Sequence, residues 1–164
     1  MAYRWFGTVA LYVTAILVAA CSSGGATTPT SLSPTGMNLS GAWTGTMVES
    51  SVDPDPDRLS WTATQSGANV SGTAVLTMMG SEPKVVTGTM TGVIAGTQVS
   101  LTFTLPAGSF VSVGGPAGCS VTGTATATPS EISIAATMTR TFSSACLGVV
   151  GKSSTDTVQL SLTK

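Results

Sequence analysis

From Asn38 to the C-terminus, apolar and polar residues alternate with a period of two, the spacing that turns every second side chain of a strand to one face. The pattern is plainest in Gln98-Val99-Ser100-Leu101-Thr102-Phe103-Thr104-Leu105. Ile132, Ile134, Ala136 and Met138 alternate with Ser133, Ala135, Thr137 and Thr139, and Val158, Leu160 and Leu162 end the chain the same way. Earlier segments carry it through Trp43, Trp61, Leu76 and Met90. Threonine, β-branched and able to face water, fills much of the opposite face. Beyond the first twenty residues no window has a helical period. Eight strands are predicted, near 40–49, 58–66, 69–79, 84–95, 97–105, 118–128, 131–141 and 155–163.

The joints between these strands are of two kinds. Ser66-Gly67-Ala68-Asn69, Ala95-Gly96-Thr97 and Thr128-Pro129-Ser130-Glu131 are tight and carry turn formers. The joints at 50–57, 106–117 and 142–154 are longer. In an up-and-down meander alternate connections fall at the same end. The long loops therefore gather at one mouth and the tight turns at the other.

Residues 1–20 differ in kind from the rest. Arg4 precedes an apolar run from Val9 to Val18, the make-up of an export signal and too short to span a bilayer comfortably. Val18-Ala19-Ala20-Cys21 resembles the lipobox of bacterial lipoproteins. The resemblance implies a diacylglyceryl group on the Cys21 thiol, cleavage before Cys21 and acylation of the new amino terminus. Ser22 rather than Asp after that cysteine implies, by the same likeness, sorting to the outer membrane. Residues 21–37 then form a Ser/Thr/Gly/Pro tether with almost nothing to bury, and 38–164 the folded domain. Two further cysteines, Cys119 at the start of strand six and Cys146 in the loop after strand seven, belong to the long-loop end. Exported together to an oxidising compartment, they are expected to form a disulfide.

Sequential short strands with glycines on the apolar face favour a closed barrel over an open sheet with bare edges, with a two-sheet sandwich as the alternative. The expected fold is all-β, an eight-stranded antiparallel up-and-down meander barrel preceded by a signal helix and a disordered tether. Leu39-Ser40-Gly41-Ala42-Trp43 resembles the G-x-W opening of lipocalins and is similar to the G-T-W opening of avidins, both calycin-type barrels. In lipocalins an arginine of the last strand covers that tryptophan. Strand eight here has none, which leaves Arg140 at the end of strand seven as the candidate. Avidins line their biotin site with several tryptophans, and with only Trp43 and Trp61 after the leader, biotin is not an expected ligand.

Composition narrows the chemistry. Of 164 residues, 8% are charged, the net charge is −1, and there is no histidine. No basic surface is offered to nucleic acid. His-dependent triads are excluded, and no S-x-x-K or G-x-S-x-G motif occurs. No catalytic constellation or cofactor is expected. Asp53-Pro54-Asp55-Pro56-Asp57 offers three carboxylates, Asp53, Asp55 and Asp57, that calcium would accept, although the run is not an EF-hand and reads equally as a solvated loop. Glu49, Glu82, Glu131 and Asp156 stand singly. Repeated T-x-T suits a water-facing strand better than a flat surface-binding face. The inner face mixes Trp43, Trp61, Leu101, Phe103 and Ile134 with Gly45, Gly72, Gly88, Gly92 and Gly123, which implies either a tightly drawn filled core or a cavity for an apolar guest. Phe110 and Val111, on a Gly-rich loop, are candidates for a lid or a partner contact. Two functions follow as expectations. One is a lipid-anchored, non-catalytic envelope protein whose loops contact another protein, and the other a lipocalin-like carrier of a small hydrophobic ligand. A transmembrane barrel with the apolar face outward lacks the aromatic girdles it would need.

Overall fold

A computed structural model describes residues 36–49, 55–150 and 154–164, with the side chains of 148–150 left aside. Segment 1–20, Cys21, the tether up to residue 35 and Asp53 lie outside the described residues. The strands are β1 (Gly41–Glu49), β2 (Asp57–Ser66), β3 (Asn69–Met78), β4 (Lys84–Ala95), β5 (Gln98–Leu105), β6 (Val121–Ala127), β7 (Ser133–Phe142) and β8 (Thr155–Thr163). Each pairs antiparallel with the next, and β8 returns to β1 to close a barrel. One closed sheet replaces the sandwich alternative, and none of the eight strands is left as an edge strand.

The predicted alternation is kept at nearly every position. In β6 the residues of Val121–Ala127 are buried and exposed in strict turn, and β4 and β8 behave alike. The apolar set therefore faces inward, and the inverted arrangement with that set turned outward is not adopted. Outside, threonines fall in cross-strand register, Thr62 beside Thr73, Thr73 beside Thr89, and Thr102 beside Thr124 beside Thr139. Such β-branched pairs add a few tenths of a kcal/mol each, roughly.

The tight hairpins turn on Gly67 and Gly96, whose φ values of 60° and 61° suit glycine at the first loop position. At the other end two expectations need correction. A short helix, α1 (Ser144–Val150), follows β7, and a 3-10 turn spans Val111–Val113. Both are shorter than the window over which a helical period can be read. Strand six starts at Val121 rather than at residue 118. The Cys119 N–H donates to Pro116 O at 3.0 Å and the Ser120 N–H to Ser143 Oγ at 3.0 Å, so these residues serve the loops and not the sheet.

The closed end is solid. Trp43 and Trp61 stack with ring centroids 6.5 Å apart, and Trp43 Nε1 donates to Leu39 O at 2.8 Å, which tucks fully buried Leu39 beneath them. Gln65 ties down the incoming chain by accepting from the Leu39 N–H (2.7 Å) and donating to Met37 O (3.0 Å). A cation does cover Trp43, but it is not Arg140, which lies at the opposite end of its strand. Lys164, just past β8, places Nζ 5.1 Å from the indole and donates to Asn38 O at 2.8 Å.

The inward glycines draw the wall together. A Cβ on Gly45 would lie 1.7 Å from Ser161 O, on Gly72 1.8 Å from Thr62 O, and on Gly88 2.1 Å from Thr104 O. Each marks a place where the neighbouring strand's backbone comes too close for any side chain. Gly72 also leaves room for the Trp61 indole, whose Nε1 is buried without a hydrogen-bond partner. Gly45→Ala is expected to lower unfolding stability by about 3 kcal/mol, the upper part of the range for overpacking. Gly80→Ala, where an added Cβ meets nothing, should change it by less than about 0.5 kcal/mol. Urea unfolding followed by tryptophan fluorescence measures both.

Candidate functional site

The strand ends that the longer connections join do lie at one mouth, and a cavity of about 360 Å³ lies there beneath the β5–β6 loop. Its walls are the last inward residues of the strands: Leu76 and Met78 of β3, Phe103 and Leu105 of β5, Val121 of β6 and Phe142 of β7. By position along the strands, Leu76, Phe103 and Arg140 sit one layer deeper than Met78, Leu105 and Phe142.

The β5–β6 loop supplies the cover through Phe110, Val113 and Gly114 to Pro116. Its fold is set locally. The Val113 and Gly115 N–H groups both donate to Phe110 O, at 3.1 and 2.8 Å, and Gly114 takes the left-handed conformation (φ 81°) that reverses the chain. A Cβ on Gly115 would lie 2.7 Å from Phe110 Cβ, so glycine is what lets the loop fold back on the ring. The loop is anchored at its far end by the Cys119–Cys146 disulfide, which joins it to α1 across 27 residues, with Cα atoms 4.7 Å apart. Both half-cystines line the cavity.

Charged groups ring the opening. Arg140 on β7 is inward-facing and only 6% exposed. Its Nε and Nη2 donate to the two oxygens of Asp156 at 2.8 and 2.6 Å, and Nη2 also reaches Glu49 Oε1 across the β1–β8 seam. The guanidinium lies 5.4 Å from the Phe142 ring centroid. Burial alone would lower the Arg140 pKa. The hydrogen bonds and negative charges of Asp156 and Glu49 outweigh that and hold it above its ordinary value, so the charge persists throughout the working pH range. Asp57 and Lys84 also line the cavity, and the Asp57 carboxylate accepts the Met79 N–H at 3.0 Å.

The residues singled out from the sequence fall into three places. Of the five inner-face candidates, Phe103 lines the cavity, whereas Trp43, Trp61, Leu101 and Ile134 are packed in the core below it. Asp57 reaches the cavity, Asp55 is exposed on the approach to β2, and Asp53 lies outside the described residues. Among the described residues no three His, Cys, Asp or Glu are grouped as a metal ion would need. Phe110 is half-buried on the cavity side of its loop, and Val111 is exposed. None of the five inward strand glycines lines the cavity.

Sequence reading missed the Arg140 cluster by treating Glu49 and Asp156 as isolated. A signal was present. Glu49 stands two residues after inward Met47, Arg140 two after Met138, and Asp156 two before Val158, so all three carry inward parity at the mouth end. Arg140→Met should therefore lower stability by about 3 kcal/mol, because two partly buried carboxylates are left facing each other. The triple variant Glu49→Gln/Arg140→Met/Asp156→Asn should recover most of that loss in the same urea assay.

Comparison with known protein families, with curated proteins and with solved structures returned no match.

Proposed function

We propose that this chain is a lipid-anchored, non-catalytic protein of the bacterial cell envelope whose barrel holds a small, mainly apolar molecule at its mouth. The observation that carries this reading is the division of the interior. Stacked tryptophans and Leu39 fill the closed end, while about 360 Å³ remains open under the loops, within the usual size range of ligand pockets. A core evolved for stability alone would be expected to fill that volume, since unfilled space forfeits packing energy. Aromatic and aliphatic walls with a few charged groups at the rim suit a guest whose tail is apolar and whose end is polar.

The anchor rests on the lipobox at Cys21 and the tether after it. Two or three acyl chains, at about 0.8 kcal/mol per buried methylene, would make attachment effectively permanent. β1, which the tether precedes in the chain, begins with Gly41 at the tight-turn end. Sorting to the outer membrane follows from Ser22. A second reading, contact with another envelope protein, draws support from Val111, which is 54% exposed at the tip of the covering loop.

Two experiments bear on this. Labelled palmitate fed to producing bacteria should enter the wild-type protein and be absent from Cys21→Ala. For the cavity, protein carrying 13C-methyl methionine, reconstituted whole in lipid nanodiscs, should be titrated with decanol. The Met78 and Met79 methyls, which line the cavity, should shift in a saturable way, and buried Met90 should not. Val113→Trp, which places an indole in the space, should abolish the shifts without lowering stability. Absence of saturable shifts would remove the ligand reading and leave the protein contact.

A further inference from the structure

We infer that the guest of the mouth cavity carries a hydrogen-bond-accepting oxygen, of the carbonyl or carboxylate kind, and that Nη1 of Arg140 receives it. The inference rests on the ligand-binding reading above and deepens it by naming the class of guest and the atom that meets it.

Most donors of the lining are already spent. The Met79 N–H goes to Asp57 Oδ1, those of Val113 and Gly115 go to Phe110 O, and that of Gly114 goes to Val111 O. The Cys119 N–H is taken by Pro116 O and the Phe142 N–H by Ser154 O. Arg140 differs. A guanidinium has five N–H donors, two of them on Nη1. Nε donates once and Nη2 twice, all to the carboxylates of Asp156 and Glu49. Both donors of Nη1 are therefore left without an acceptor among the described residues. The side chain is only 7% exposed, and polar groups so placed are as a rule hydrogen-bonded.

Geometry gives Nη1 its direction. A carboxylate that takes Nε and Nη2 together lies against one edge of the planar guanidinium and leaves Nη1 on the opposite edge. Asp156 holds the first edge from behind, since it is Arg140 and not Asp156 that lines the cavity. The Nη1 edge is thus the one turned to the open space. The two carboxylates also fix the guanidinium before a guest arrives, which spares the cost of ordering it on binding. Apolar walls of Leu76, Phe103, Leu105 and Phe142 strengthen a hydrogen bond made there. A head group that only donates finds no equivalent, because Glu49 and Asp57 already have partners.

The test uses the whole protein in zwitterionic nanodiscs, with free probe concentrations corrected by empty discs. Methyl octyl ketone offers a neutral acceptor, decanoate a charged one, and decyl chloride almost none. The Met78 and Met79 methyl shifts report binding in the cavity. The carbonyl band of the bound ketone, isolated by 13C substitution in infrared difference spectra, should lie at lower frequency than in empty discs. Glu49→Leu/Arg140→Leu/Asp156→Asn removes the three charges together and puts no donor in place of the guanidinium. In it the affinity of ketone or decanoate relative to decyl chloride should fall about tenfold, and the low-frequency band should vanish. Whichever of the two acceptors loses more tells whether the natural oxygen is neutral or charged. Shifted methyls with an unmoved carbonyl band and unchanged affinity ratios would overturn the inference and leave the cavity reading intact. Failure of all three probes to shift those methyls would overturn the cavity reading itself.

Discussion

When β8 hydrogen-bonds back onto β1, pairing Gly45 with Leu162 and Met47 with Leu160, the inward side chains of eight strands are confined around a single axis. That closure satisfies the last two edges of the sheet and makes burial collective. Every inward apolar residue contributes to one core, at roughly 25 cal/mol per Å² removed from water. It also sets a geometric demand. A wall this tightly coiled brings backbone against backbone at Gly45, Gly72 and Gly88, where no Cβ fits. The glycines are thus a condition of closure and not openings into a cavity.

The two ends of the barrel answer different requirements. At the tight-turn end Leu39, Trp43 and Trp61 fill the space, and Lys164 seals it by resting over the outermost indole. At the mouth β1, β2 and β4 end in the charged residues Glu49, Asp57 and Lys84, and the covering loop carries glycines and a proline where bulk would be needed to fill the space. The cavity is a product of those loops. The disulfide holds the loop after β5 to the helix after β7, so the cover is fixed to two neighbouring connections, and in the loop-entropy picture this stabilises the domain by about 3–4 kcal/mol.

The Arg140 cluster links the closure of the sheet to the character of the mouth. Glu49 ends β1, Asp156 opens β8 and Arg140 lies on β7, so the guanidinium spans the seam at which the barrel closes. Burying these charges separately would be costly, and together they satisfy one another. The same pairing commits Nε and Nη2 of Arg140 to the two carboxylates.

The period-two pattern was enough to specify strand number, the inward face and the end at which each loop lies. Alternation is a local property, and a sequential antiparallel meander needs no information beyond the order of its elements. Cys119 and Cys146 were placed at the same end by that parity alone. Three things were not legible. The helix at Ser144–Val150 is too short to show a period. The meeting of Glu49, Arg140 and Asp156 depends on strands 91 residues apart in the chain closing on each other. Whether the inner face encloses a core or a cavity depends on how far the strands coil and how the loops fall across the opening. Those are sums over many distant contacts, and only the folded arrangement evaluates them.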